Sequence, residues 1–268
     1  MKNKVVVITG GSSGIGKALA EVFGTEGSLI LITGRDIKTL NEAADELTKK
    51  GVTVHAFQAD VSREEDNRRM AEEAIRHYGR IDILINNAGI SMRALFEEVD
   101  LEVVRRVMEI NFFGALYATR HCLPEIIKHR GSVIGISSVA GFRGLPGRTG
   151  YSASKFALNG FLEVLRSELL KSGVHVMTAC PGFTASNIRI RALTKDGSTQ
   201  NESPRNEKKM MSPEECARHI YTATVKRKQV LVLTAQGKLA VWLNKLFPRV
   251  ADRVVYNVMA KETNAPLR

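Results

Sequence analysis

The sequence predicts a doubly wound α/β domain, a mostly parallel sheet of seven strands with helices on both faces. Three observations lead there. Short β-branched apolar runs recur along the chain, several of them do not alternate in polarity, and longer amphipathic stretches lie between them. A strand that does not alternate is covered on both faces, which is the condition of a parallel sheet between two helical layers.

In chain order, residues 4–9, 28–33, 52–58, 81–86, 132–138 and 174–179 read as the first six strands, and 230–233 as the seventh. Residues 15–26, 38–49, 64–77, 111–128 and 156–171 read as helices, from apolar positions three and four apart. One connection is out of proportion. Residues 187–212 are polar, charged and turn-rich, and they follow the sixth strand on the side where such sheets bind ligands. They are read as a substrate lid, a functionless insertion being the plainer alternative. No linker interrupts the pattern, so residues 1–235 are expected to form one domain, with 236–268 as a basic, partly amphipathic extension.

Composition bounds the rest. A chain of 268 residues that is 44% hydrophobic buries a large core without staples. Cys122, Cys180 and Cys216 form no C-x-x-C pair, and their odd number argues against a disulfide framework. A reducing, cytoplasmic setting is therefore expected. No run reaches the roughly 18 apolar residues of a membrane span, and the opening MKNKVVVITGG is too short for a signal peptide. The net charge is +11, and residues 226–268 carry nine Lys or Arg against Asp252 and Glu262. Such a basic end suits an anionic surface or an acidic partner. Nucleic acid is not expected, because neither zinc-finger spacing nor an RNP-type aromatic motif accompanies it.

Between the first strand and first helix stands Thr9-Gly10-Gly11-Ser12-Ser13-Gly14-Ile15-Gly16. Glycine permits a tight turn, close approach of a phosphate and close packing of helix on strand. The N–H groups at the helix start then face a pyrophosphate. At the end of the second strand, Gly34 stands where a carboxylate would hold a ribose 2′-hydroxyl, and Arg35 follows. A guanidinium fork matches phosphate geometry, so NADP(H) is favoured over NAD(H). Asp36 comes one residue late, to cap the next helix or to reach the ribose.

Tyr151 and Lys155 are four apart at the start of a helical stretch and share one face. A tyrosine titrates near 10, and a neighbouring ammonium lowers that value towards the range where proton exchange is easy. Ser138, at the end of the fifth strand, would lie in the same crevice and donate to a carbonyl oxygen. His55, His77, His121, His129, His175 and His219 show no ligand spacing, and no metal is expected.

Together these motifs resemble the short-chain dehydrogenase/reductase family. The matches are TGGSSGIG at 9–16, Asp60-Val61, NNAG at 86–89, Asn111, Ser138, YSASK at 151–155 and Pro181-Gly182, in family order over residues 4–234. The resemblance implies a Rossmann fold and a dinucleotide held by Gly10, Ser12, Ser13, Gly14, Ile15 and Gly16. It implies that Asp60 and Val61 meet the adenine, and that Asn87, Ala88 and Gly89, following Asn86, flank the adenosine. Pro181, Gly182, Thr184 and Ser186 would contact the nicotinamide carboxamide. It further implies that Tyr151 is the general acid in reduction and that Lys155 binds the nicotinamide ribose and depresses the tyrosine pKa. Ser138 would polarise the carbonyl, and Asn111 would interrupt its helix and hold a relay water. Ser13 departs from the basic residue many NADP-using relatives carry there, so cofactor preference rests on Arg35.

The resemblance implies a small-molecule carbonyl or alcohol as substrate. Met92, Leu95, Phe96, Phe142, Leu145, Phe183, Ile188 and Ile190, with Arg93, Arg143, Arg148, Arg189 and Arg191, suggest a largely apolar compound with room for an anionic end. In the tail, Leu239, Trp242, Leu243, Leu246 and Phe247 recur at helical intervals, and Val250, Val254, Val255 and Val258 follow Pro248. Three surfaces are open to this element: a lipid membrane, the substrate mouth, or a partner subunit. It resembles the extended ends of hydroxysteroid-dehydrogenase-like and 3-ketodihydrosphingosine-reductase-like enzymes, which implies a lipid- or steroid-like substrate. A 3-ketoacyl thioester reductase, an NAD-dependent alcohol dehydrogenase and an idle nucleotide- or RNA-binding scaffold are the alternatives. The family forms dimers or tetramers, and Phe112, Phe113, Leu116 and Tyr117 suit that homo-oligomeric interface.

Overall fold

The computed structural model describes residues 1–267. Its seven strands are β1 (Val5–Ile8), β2 (Leu29–Gly34), β3 (Val54–Gln58), β4 (Ile83–Asn86), β5 (Ser132–Ile136), β6 (His175–Cys180) and β7 (Val230–Val232). They form one parallel sheet in the order β3-β2-β1-β4-β5-β6-β7. The chain moves outward from β1 to β3, then crosses back to lay β4 on the other side of β1. That reversal opens a crevice at the carboxyl ends of β1 and β4, where such sheets bind ligands.

Both faces are covered, which is why the strand runs do not alternate: all of β1, β4, β5 and β6 is buried. On one face α1 (Gly14–Thr25), α2 (Ile37–Lys49) and α7 (Pro213–Val225) pack Leu19, Phe23, Leu40 and Ile220 against Ile8, Ile32 and Ile134. On the other, α3 (Glu64–Tyr78), α5 (Gly114–Lys128) and α6 (Thr149–Glu168) pack Met70, Ala118 and Leu162 against Val7, Leu84 and Val133.

Two helices depart from the sequence reading. α4 (Leu101–Met108) precedes α5 and runs into it through a π-helical turn, Glu109–Phe113, so the helix expected from 111 begins ten residues earlier. α7 follows directly on the lid segment. Its start is marked, since Ser212 accepts the Glu215 N–H at 3.1 Å and Pro213 occupies the first turn. Its buried stripe is mostly small, however, with Cys216, Ala217 and Ala223 around Ile220, and small residues give a weak periodic signal. After β7 come α8 (Ala235–Leu246) and α9 (Pro248–Ala260). Among the described residues no helix is long and apolar enough to cross a membrane.

Candidate active site

From Ile8 the chain turns into α1 through the glycine-rich segment. Gly10 (φ +66°) and Gly14 (φ +54°) hold left-handed backbone that side-chain-bearing residues seldom adopt. A Cβ on Gly16 would overlap the Gly10 carbonyl oxygen, and one on Gly11 would lie 2.5 Å from Ile32 Cγ2. Asn87 locks the turn from β4, its Nδ2 donating to the carbonyls of Thr9 (2.9 Å) and Gly10 (3.0 Å). The N–H groups of Asn87 and Ala88 donate to Thr9 Oγ1 at 3.0 and 3.1 Å. Ser13 begins α1 in extended backbone and its side chain caps none of the helix N–H groups. A tight turn stripped of side chains, against a helix start that its own cap residue leaves open, fits a pyrophosphate.

The ends of β2 and β3 continue this wall. Asp36 is committed to α2, where its carboxylate accepts the Thr39 N–H at 2.9 Å, and that bond holds its pKa below the usual range. Arg35 is exposed beside it, its carbonyl fixed by Gln58 Nε2 at 2.8 Å. Asp60 Oδ1 accepts the N–H (3.0 Å) and Oγ–H (2.7 Å) of Ser62, while Val61 is buried where a Cβ on Gly114 would press. Opposite, Gly182 is so close to Thr234 that a Cβ would overlap its hydroxyl, and Thr184 Oγ1 reaches the Gly182 carbonyl at 3.4 Å. Ser186 faces Gly14 across the gap, and a Cβ on Gly14 would lie 3.5 Å from that of Ser186. Gly89 leaves room at the centre: a Cβ there would meet Asn111 Oδ1 at 3.2 Å and Lys155 Nζ at 3.5 Å.

The hydroxyls converge at the ends of β5 and α6. Ser138 Oγ accepts the Ala140 N–H at 3.1 Å, which leaves its single hydrogen to donate, and its side chain acts on the Tyr151 hydroxyl so as to lower that group's pKa. One turn below, Lys155 is 3% exposed, donates to the Ile136 carbonyl at 2.9 Å and stands 5.7 Å from the centre of the Tyr151 ring. Burial pushes the Lys155 ammonium down to about 8. Burial also pushes the Tyr151 phenol up, and Ser138 and the charges of Arg148 and Arg189 only partly offset it. The Lys155 ammonium lies over the Tyr151 ring and is held by the Ile136 carbonyl. Asn111 sits in the π-helical turn. Its Oδ1 accepts the Ile90 N–H (2.8 Å), and its Nδ2 donates to the Ile90 carbonyl and Ser154 Oγ, both at 2.9 Å.

A model of the family described as short chain dehydrogenase matches residues 4–196, well over half of the chain. The chain belongs to the short chain dehydrogenase family. Dehydrogenase/reductase SDR family member 7B of Rattus norvegicus is 36% identical over 98% of this chain and 83% of its own. The Xenopus laevis protein of that name is 38% identical over 97% and 83%, and the uncharacterized oxidoreductase YxnA of Bacillus subtilis 34% over 99% and 75%. Among solved structures, a short chain dehydrogenase/reductase from Burkholderia phymatum in complex with NAD superposes with a TM-score of 0.84 at 23% identity, covering 93% of this chain and 95% of that one. An alcohol dehydrogenase from Thermococcus sibiricus complexed with 5-hydroxy-NADP gives 0.76 at 24%, covering 87% and 96%. At the level of the family, the protein is a nicotinamide-dependent oxidoreductase.

On the substrate side this short chain dehydrogenase departs from expectation. Arg143 pairs with Asp252, Arg189 with Glu207, and Arg148 with Glu262, while Arg93 lies 3.6 Å from Glu262. Four of the five arginines read as open to an anionic ligand thus have carboxylates of the chain beside them, since a guanidinium withdrawn from water needs a counter-charge. Met92 is fully buried with Val103, Val107 and Leu193, and only Phe96 stands well out of the mouth. The lid segment is fastened down: Leu193 exchanges backbone bonds with Ser91 and Arg93 at 2.9 and 2.8 Å. The tail also turns over. Asn244 and Ala251 face the domain, Asn244 donating to the Phe142 carbonyl at 3.0 Å, and the apolar stripe faces outward with Leu239 59% and Trp242 54% exposed.

Glu207 and Glu262 were missed in the sequence reading. Glu262 is one of two acids in a strongly basic tail, and that isolation was the available signal. The histidines also differ from expectation, as ligand atoms of His55, Glu73 and His77 lie within 4.8 Å of one another. Arg76 already holds that glutamate, at 2.6 and 2.9 Å.

Proposed function

We propose that this enzyme reduces the carbonyl of an apolar, lipid- or steroid-like small molecule to a secondary alcohol, using NADP(H) in preference to NAD(H), with Tyr151 as proton donor. The observation that carries this reading is Tyr151 with its ring 5.7 Å from the buried Lys155 ammonium, at the start of α6 and beside Ser138 at the end of β5. When bound, the dinucleotide supplies the hydride. The Gly10–Gly16 turn would hold its pyrophosphate, Asp60 and Val61 its adenine, and Asn87–Gly89 its adenosine side. Thr184 and Ser186 would meet its carboxamide. Arg35 supports the 2′-phosphate because Asp36, the nearest acid, is taken up in capping α2.

In reduction, charge develops on the carbonyl oxygen, and O–H donors from Ser138 and Tyr151 would act most strongly there. Tyr151 gives up its proton as the oxygen gains charge. Lys155 places a cation beneath the phenolate that remains. Asn111 positions the pair by tying the exit of β4 to Ser154, on α6 between Tyr151 and Lys155.

The bare apolar stripe of α8 and α9 is ringed by exposed Lys238, Lys245, Arg249 and Arg253. Apolar side chains beside cations suit the headgroup boundary of an anionic bilayer, from which a lipid-like ketone would enter. Exposed Phe156 and Val164 on α6, and the Phe113–Tyr117 pair at the start of α5, support a homodimer through those helices.

The test follows NADPH and NADH oxidation separately across short ketones, quinones, steroids, long-chain 3-keto lipids and 3-ketoacyl thioesters, with Tyr151→Phe as the blank. Turnover that needs Tyr151, favours NADPH and rises with apolar size is expected. A preference for NADH would overturn the Arg35 argument, and turnover confined to the thioesters would overturn the substrate reading.

A further inference from the structure

Beyond α9 the chain turns back across the mouth of the cleft. Glu262, its side chain 2% exposed, accepts Arg148 Nη2 at 2.8 Å and Arg205 Nε at 2.6 Å, with Arg93 Nε 3.6 Å away. The three arginines come from three segments: the loop after β4, the residue before α6, and the lid. Adjacent residues repeat the grip, with Arg93 Nη2 donating to the Thr263 carbonyl at 2.6 Å and Thr263 N–H to that of Pro204 at 3.3 Å. Asn264 Nδ2 reaches Glu202 Oε1 at 3.0 Å.

One carboxylate thus offsets three guanidinium groups in a place with little water. Burial alone would raise its pKa, but Arg148 and Arg205 overcome that and hold it low. Without the charge, the arginines would be left as buried like charges facing one another, the arrangement that costs most. What they would release matters for chemistry. Arg148 accepts the Ser152 N–H on its carbonyl at 2.8 Å in the first turn of α6, and its charge bears on Tyr151. Arg205 stacks 3.9 Å from the centre of the Phe183 ring, next to Pro181-Gly182. Between lid and tail lies an open groove of about 660 Å³ lined by Phe183, Arg205, Met210, Met211, Val258 and Glu262.

We propose that Glu262 is a positioning residue: it clamps the lid onto the loops at 91–94 and 144–148, fixing the substrate side of the cleft around Tyr151 while leaving the dinucleotide cradle untouched. The proposal rests on the reading of Tyr151 as proton donor. A clamp of this kind acts on substrate affinity more than on the chemical step.

Glu262→Gln keeps the shape and removes the charge. The expected result on the full chain is a KM for the ketone raised tenfold or more, kcat within threefold of the parent, and dinucleotide Kd within twofold. Amide hydrogen exchange over 187–209 should quicken at least tenfold while β1 and β4 stay unchanged. Arg205→Gln, further from the core, should give the same loosening, and the two changes together should cost no more than the worse one alone. Unaltered lid exchange with the parent KM would overturn the proposal. So would a uniform fall in kcat with faster exchange in β1 and β4, which marks general destabilisation. A parent silent on every ketone would count against the proposed substrate instead. The exchange contrast needs no substrate and decides the clamp by itself.

Discussion

Gly16 packs so tightly on Gly10 that its α-hydrogen stands where any methyl group would overlap the Gly10 carbonyl oxygen. The helix therefore starts in direct contact with the turn, and Asn87 closes the third side.

Gly16→Ala should force α1 away from β1. Overpacking of this sort costs about 1–3 kcal/mol, or several degrees in melting temperature for a domain this size. Dinucleotide affinity, followed by nicotinamide fluorescence, should fall at least tenfold. An alanine variant that binds as tightly as the parent would show that the turn is not the phosphate cradle.

Tyr151→Phe keeps the ring over Lys155 and removes the proton. Turnover should fall by about 10²–10⁴, the usual worth of general acid catalysis, with dinucleotide affinity within twofold. Ser138→Ala should cost about 10²–10³ by removing one donor to the developing charge. Steady-state rates beside fluorescence titrations separate the two effects.

The seven strands and the parallel sheet were legible in the sequence because they are written in apolar runs that do not alternate. The positions of Ser138 at the end of β5 and of Tyr151 and Lys155 in α6 were legible too, because motif spacing fixes them relative to strand ends and helix starts. The substrate side was not. Arg93, Arg148 and Arg189 read as open cations, and only the folded chain reveals Glu262 and Glu207 beside them, 114 residues away for Arg148. Periodicity showed that α8 is amphipathic but not which face it turns to the domain. Asn244, a polar residue, makes that contact. Nor could a four-residue spacing tell that burial would push the Tyr151 phenol up.

Lys155 carries a pH signature. Its native pKa of about 8 lies below the unfolded value near 10.4, so the unfolded chain binds more protons between those limits. The penalty for burying the charge is complete below pH 8 and disappears as pH rises towards 10.4. This group should therefore raise stability with increasing pH across that window, by roughly 3 kcal/mol. Lys155→Met should lose that rise. Denaturant midpoints of both proteins at pH 7.5 and 9.5, without dinucleotide, provide the comparison.

Arg35→Ser should reduce the preference for NADPH over NADH by about tenfold, the lower end of what a charge-assisted hydrogen bond contributes, since the site is exposed. The ratio of kcat/KM values for the two cofactors is the measurement. An unchanged ratio would move the 2′-phosphate contact elsewhere.

The outward stripe on α8 predicts sedimentation with phosphatidylserine–phosphatidylcholine vesicles, weakened at high salt. Trp242→Glu should abolish it without changing turnover of a short, water-soluble ketone. A stripe covered by a second copy would give instead a dimer that this change splits, by light scattering.

The order in which the chain visits the cleft has an evolutionary consequence. The turn at 10–16, Ser138, Tyr151 and Lys155 all lie before residue 187, and the lid, the outer helices and Glu262 all lie after it. The redox machinery thus sits on a first stretch of polypeptide and much of what borders its mouth on a second. A lineage can rewrite the second and keep the first, provided Arg93 and Arg148 still find an acid waiting. The family model ends at residue 196 while the 7B relatives match along nearly the whole chain, as expected if the first stretch is common property and the second marks the branch.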